Sequence, residues 1–174
     1  MPQESNNTES AQIGFGGGCH WCTEAVFQQL RGVERVDQGY IASQPPNADF
    51  SEAVIVHFDP KEMSLETLIE VHLYTHSATA VHQLRKNYRS AIYFFTAQQR
   101  EIAQEALYKF QNDFADPLIT EVLPYHEFRS SDPQHTNYYS SDPQRPFCQR
   151  YIEPKLQLLQ SKFLDEIKER KGSR

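Results

Sequence analysis

The stretch Ile13-Gly-Phe-Gly-Gly-Gly-Cys-His-Trp-Cys-Thr-Glu24 decides how this chain is read. Gly16, Gly17 and Gly18 run straight into Cys19. Beyond it Ala25, Val26, Phe27 and Leu30 fall on or near one face of a helix that Gly32 would end. The pattern predicts a strand, a tight glycine turn and a helix from Cys19 to Leu30, with Cys19 in the first turn. Unpaired N–H groups and the positive end of the helix dipole stabilise a thiolate there and lower its pKa. Glycines let the backbone approach a ligand closely. The plainer reading is a small buried thiol beside an ordinary turn. Three glycines, a Cys-x-x-Cys pair and Glu24 within one helical turn of Cys22 favour a nucleophile's setting instead.

The rest of the composition narrows the class. A chain of 174 residues with 39% apolar and 23% charged side chains has room for one core, so one catalytic domain over 11–174 is expected behind a flexible polar tail, 1–10. A formal charge of -6 argues against a nucleic-acid partner. No apolar run is long enough for a membrane span, and MPQESNNTES has neither the basic flank nor the apolar core of a secretory signal. A cytoplasmic address is the expectation, and three cysteines in a reducing compartment point to catalysis or redox chemistry.

Working outward, Gly32–Tyr40 reads as a strand and 42–49, with Pro45-Pro46, as a loop. Glu52–Phe58 alternates, with Val54, Val56 and Phe58 on one face of a strand. Ser64 opens a helix carrying Leu65, Leu68, Ile69, His72 and Leu73. Ser77–Asn87 is a polar loop, and Tyr88–Phe95 an apolar strand. Thr96 caps a helix over Ala97–Phe110. Leu118–Leu123 reads as a strand, Phe128–Phe147 as a long coil and Ile152–Arg170 as a charged helix with a Leu156, Leu159, Phe163, Ile167 stripe. The class is α+β: a two-layer sandwich of the split βαβ (ferredoxin-like) type with a long C-terminal coil and helix.

Cys19-His20-Trp21-Cys22 admits several chemistries. Structural zinc needs four ligands, and no second Cys pair exists. The His72/His76 pair lacks the glutamate of a metalloprotease helix, so a solvated or core role fits it better. Haem attachment fails because Thr23 follows Cys22. A thioredoxin-like redox motif stays open. More of the chain resembles the A-type peptide methionine sulfoxide reductases. Gly18-Cys19-His20-Trp21-Cys22 with Glu24 is similar to their Gly-Cys-Phe-Trp-Cys motif followed by glutamate, and Gly32-Val33 and Gly39-Tyr40 to their GV…GY segment. Ser51-Glu52-Ala53-Val54 with Phe58-Asp59-Pro60 resembles their HAEVV…YDP strand and turn. His76 sits where they have HDPT, and Tyr88-Arg89-Ser90-Ala91-Ile92 matches YRSAI. Ser131-Asp132, His135 and Tyr138-Tyr139 look like a degraded AE-x-x-H-Q-x-Y segment.

The resemblance implies thiol-dependent reduction of methionine (S)-sulfoxide, free or in proteins, through a sulfenic acid on Cys19 and disulfide recycling. It implies Cys19 as nucleophile, Glu24 as proton donor, Trp21 as the aromatic wall for the S-methyl group, and Tyr40 and Tyr88 as hydrogen-bond donors to the sulfoxide oxygen. His20, a polar ring in the substrate site where the family has an apolar wall, would either favour the thiolate as an imidazolium or be only a surface ring. Cys22 and Cys148 are the two candidates to resolve the sulfenic acid. No metal or organic cofactor is expected, only a thioredoxin-like reductant acting on a monomer. His20 replaces the family's Phe, and the 77–87 loop is shorter than its counterpart and lacks its Asp, for which Gln83 or Asn87 would stand in. The alternative is a thiol–disulfide sensor that uses Cys19 and Cys22 without sulfoxide turnover, and a silent homologue acting as a binding module is a third reading.

Overall fold

The computed structural model describes residues 10–80 and 87–168. Most of the expected tail, Gln83 and the end of the expected last helix lie outside them. The glycine stretch folds as the spacing requires: β1 (Ala11–Gly16) leads through Gly17 and Gly18 into α1 (His20–Gln28), with Cys19 at its N-cap. Then come β2 (Val33–Ala42), β3 (Ser51–Phe58), α2 (Leu65–Tyr74), β4 (Ala91–Phe94), α3 (Ala97–Phe110), β5 (Glu121–Pro124), β6 (Glu127–Ser130), α4 (Tyr138–Ser141) and α5 (Glu153–Lys162). The α+β class holds. Ser64 and Thr96 act as the caps their sequences announce, each accepting a backbone N–H three residues on.

One six-stranded sheet runs β5-β4-β1-β3-β2-β6. Only β4–β5 is parallel, so β1 and β2 run the same way with β3 inserted antiparallel between them. Alternation sorts the side chains. Ile13, Phe15, Val54, Val56 and Phe58 face a core closed by Val26 and Phe27 of α1, Leu30 just beyond it, Leu68 and Ile69 of α2, Ala103 and Ala106 of α3, and Leu159 of α5. Phe15 and Phe27 stack at 4.8 Å, fixing α1 against β1. Ile41, Ala53, Ile55 and Tyr93 form a smaller cluster on the opposite face with Leu123, Tyr125 and Phe128.

Several boundaries differ from the sequence reading. The strand expected from Tyr88 starts at Ala91, because the Arg89 N–H bonds the Ser51 hydroxyl and the Arg89 guanidinium turns to the carbonyls of Ile41 and Asp49. The expected coil 128–147 contains α4 and most of β6, a short strand with one apolar side chain. Backbone pairing with residues 39–42 of β2 forms it, a non-local partner that no local pattern announces. The last α-helix ends at Lys162. Phe163 leaves helical geometry (φ -125°, ψ 36°) to bury its ring, and the chain returns to pair Ile167 with Leu30.

The β2–β6 pairing depends on Gly39. A Cβ there would lie 2.2 Å from the Arg129 carbonyl and 2.8 Å from the Phe128 ring. Gly39→Ala is expected to unpair β6 and lower stability by about 2 kcal/mol, read as an earlier denaturation midpoint with lost amide-exchange protection confined to the β2–β6 edge.

Candidate active site

The position of Cys19 follows from the turn. Gly17, at φ +147°, presses on the His76 ring, where a Cβ would meet Cδ2 at 2.5 Å. Below it His72 Nε2–H donates to the Gly16 carbonyl at 2.7 Å, and His76 Nδ1–H to the His72 carbonyl. The second His76 nitrogen lies 2.7 Å from the Ser90 hydroxyl, which meets Thr120 at 2.7 Å. His72 is buried, so the core role expected for it holds. This pair underpins the turn from which α1 starts.

Cys19 is half-buried, with its Sγ facing the first turn of α1. Its thiol is held below the ordinary value first by a hydrogen bond from Cys22, then by the Trp21 and Cys22 N–H groups, against burial and the charge of Glu52. Cys22 is the counterpart: donating to the Cys19 thiolate and buried, its thiol is pushed far up. Cys148 is fully buried against Cys22, Ala25 and Ile152, at the start of a π-helical turn, Cys148–Ile152; burial raises it too. All three thiols are free.

The two glutamates prove unlike. Glu24, expected as the proton donor, is 1% exposed and accepts from Gln38 Nε2 at 2.8 Å, Asn137 N at 2.8 Å and Tyr138 N at 3.4 Å. Burial pushes its carboxyl up and these bonds oppose the shift. Every one of these partners is a donor, so the carboxylate is used as an acceptor that ties α1 to the start of α4. The charge that acts on Cys19 is that of Glu52. Glu52 Oε1 accepts the His20 N–H at 3.0 Å and lies 3.7 Å from His20 Nε2. The signal for Glu52 was present in the strand alternation. Glu52 shares the face of Val54, Val56 and Phe58, an unusual place for a carboxylate unless it serves a site.

The aromatic residues divide in the same way. Tyr40 lies opposite Glu52 across β2 and β3, with His20 edge-on to its ring at 5.2 Å. Its phenol is raised by burial first and then by Glu52, Asp132 and Cys19, while Tyr88 is raised first by Glu52, then by burial and Cys19. Both tyrosines therefore sit in the field of the Cys19–Glu52 pair. Trp21 stacks flat on Tyr138 at 3.9 Å, with Phe147 edge-on at 5.3 Å. His20, Trp21, Tyr40 and Glu52 line one side of a cavity of about 430 Å³, and Ser130, Ser131, Asp132 and His135 the other. A larger groove, about 800 Å³, runs past Glu24, Arg35 and Lys168; no cysteine lines either cavity, and Cys19 stands behind the smaller one, next to His20. Among the described residues no group of three or more His, Cys, Asp and Glu is arranged to hold a metal ion. No described helix is long and apolar enough to cross a membrane.

A low-pKa cysteine at a helix start, a second thiol bonded to it and a carboxyl facing the cavity define a thiol-based redox site. The model of the peptide methionine sulfoxide reductase family matches residues 11–167, and the chain belongs to that family. It is 32% identical over 188 residues to peptide methionine sulfoxide reductase MsrA of Deinococcus radiodurans, covering 95% of this chain and 91% of that protein. It is 34% identical over 163 residues to MsrA of Acinetobacter baumannii, covering 86% and 94%. The fold is shared with reduced Mxr1 of Saccharomyces cerevisiae, at a TM-score of 0.71 and 18% identity over 81% of this chain and 90% of that one. Mxr1 in complex with Trx2 matches at a TM-score of 0.62 and 18% identity, over 76% and 88%.

The Cys22 hydrogen bond is testable on the thiol itself. Cys22→Ala removes the leading donor and should move the pH midpoint of Cys19 alkylation upward by about one unit, whereas Cys22→Ser, which keeps an O–H donor, should move it far less.

Proposed function

We propose that the chain reduces methionine sulfoxide, the S epimer, with Cys19 as nucleophile and Glu52 as the acid. The observation that carries the assignment is the placing of Glu52 between the His20 N–H and the cavity, in the field of both Tyr40 and Tyr88. The Cys19 thiolate attacks the sulfoxide sulfur. A proton passes from Glu52 to the oxygen, the resulting hydroxyl moves from the substrate sulfur to the Cys19 sulfur as the substrate's sulfur–oxygen bond and the new sulfur–sulfur bond break, and methionine leaves with Cys19 as the sulfenic acid. Tyr40 and Tyr88, phenols kept protonated, donate to the oxygen as negative charge grows on it. Trp21 walls the cavity for the S-methyl group.

Cys22 then resolves the sulfenic acid. Its sulfur attacks that of Cys19, the disulfide closes, and the hydroxyl departs as water with the Cys22 proton. Its existing hydrogen bond to Cys19 supports it as the first resolving thiol. Cys148, buried beside Cys22, is next in line to receive the disulfide. The Mxr1 complex with Trx2 supports a thioredoxin-type dithiol as the reductant. The strand order β4-β1-β3-β2, with α1 and α2 as its crossovers, supports reading the centre of the sheet as a split βαβ unit widened by β5 and β6. We take 11–174 to be one catalytic domain acting as a monomer.

The test is dithiothreitol-driven reduction of the two epimers of a methionine sulfoxide amide. The S epimer alone is expected to be consumed, Cys19→Ser to abolish turnover, and Glu52→Gln to lower it by about 10²- to 10⁴-fold. Glu24→Ala is expected to lower stability by about 2 kcal/mol, since it strands buried donors, and to affect rate through folding alone. If neither epimer turns over, the thiol–disulfide sensor reading takes over.

A further inference from the structure

His20 is the site residue that the thiol chemistry leaves unexplained. Its side chain is 8% exposed, which is unusual for a ring with two polar nitrogens. Nδ1 lies 3.0 Å from the Gly39 carbonyl, which can only accept, so this nitrogen carries a proton. In the neutral ring Nε2 is then the bare, basic nitrogen, and it stands 3.7 Å from Glu52 Oε1. That distance is just beyond a direct hydrogen bond and is closed by a small rotation of either group. The same Glu52 oxygen accepts the backbone N–H of His20 at 3.0 Å. A phenyl ring would fill this space and offer neither nitrogen.

We propose that His20 and Glu52 share one proton, and that His20 is the positioning residue which holds it beside the carboxyl for delivery to the sulfoxide oxygen. This rests on Glu52 being the acid for the sulfoxide oxygen. Before reaction the pair is a carboxylic acid beside a neutral imidazole, or a carboxylate beside an imidazolium; both carry the same total charge. In the reductive step the shared proton moves through Glu52 to the oxygen. Cys19 loses two electrons, the substrate sulfur gains two, and the pair is left as carboxylate and neutral ring. A proton from solvent water reloads it. The groups around the pair are Cys19 and Glu24 at the two ends of the first turns of α1, Tyr40 on β2, Tyr88 ahead of β4, and Asp132 and His135 after β6. The Cys19 thiolate governs the acid limb of a pH profile. The phenols are raised above their ordinary value, Tyr40 by burial first and Tyr88 by Glu52 first, and the pair is read from how the alkaline limb changes in the His20 variants.

The experiment is single-turnover release of methionine across pH, without reductant, in wild type, His20→Asn and His20→Phe. Asparagine keeps an N–H for the Gly39 carbonyl and lacks a second basic nitrogen; phenylalanine lacks both. The alkaline limb is expected to move down by about one pH unit in both variants, roughly a tenfold lower rate at its alkaline end, with the acid limb unmoved. A wild-type profile in His20→Asn, with only His20→Phe altered, makes the ring a structural tether and overturns the proposal. Wild-type turnover lost in Glu52→Gln establishes the acid independently, and full turnover in Glu52→Gln, or none in wild type, sinks both readings. A second readout needs no activity: nitrogen NMR should find neutral His20 protonated at Nδ1, with a titration midpoint that falls in Glu52→Gln. An unchanged midpoint overturns the coupling.

Discussion

Everything in the site depends on how the chain turns between β1 and α1. Gly17 can take its positive φ and let the His76 ring lie where a side chain would be, and the stacked His72 and His76 hold the turn from beneath through the Gly16 carbonyl. That turn sets the start of α1 under Cys19 rather than a residue earlier or later. The Trp21 and Cys22 N–H groups then point at sulfur, and Cys22 reaches it from the third helical position. A thiolate stabilised by fixed donors needs no nearby cation, which is why a carboxylate can occupy the same site.

Two glutamates within reach of α1 show how surroundings, not residue type, assign chemistry. Glu24 is enclosed by donors and acts as a clasp between α1 and the 136–138 backbone, the segment that presents Tyr138 to Trp21. Glu52 has one N–H donor, a histidine ring and an open cavity. A carboxyl that must give up a proton cannot be saturated with donors, and of the two only Glu52 meets that condition.

The thiols follow a gradient of burial from Cys19, half-open, to Cys22 and then Cys148 in the interior. Cys148 begins a π-helical turn, a geometry with poorer hydrogen bonding than the α-helix beyond it. The Cys22 thiol is pushed up first by its bond to Cys19 and the Cys148 thiol by burial, while that of Cys19, the most open of the three, is held down.

Local sequence was sufficient for most of the elements and for the setting of Cys19. Glycines, caps and periodicity act over a few residues, so β1, α1, β3, α2 and α3 were legible, as was the thiolate at Cys19, whose stabilisation comes from its own helix turn. The short strand β6, the end of α5 and the shortened β4 were not, because each is decided by a partner distant in sequence: β2, the core pocket of Phe163, and the Ser51 hydroxyl. The surroundings of the two glutamates were hidden for the same reason. Glu24 stands close to Cys19 along the chain, but its hydrogen bonds come from β2 and residues 137–138. Glu52 comes from a strand over thirty residues away. The sequence by itself determined which thiol is activated; only the tertiary structure decided which carboxyl and which imidazole stand in its field, because electrostatics act through space and not along the chain.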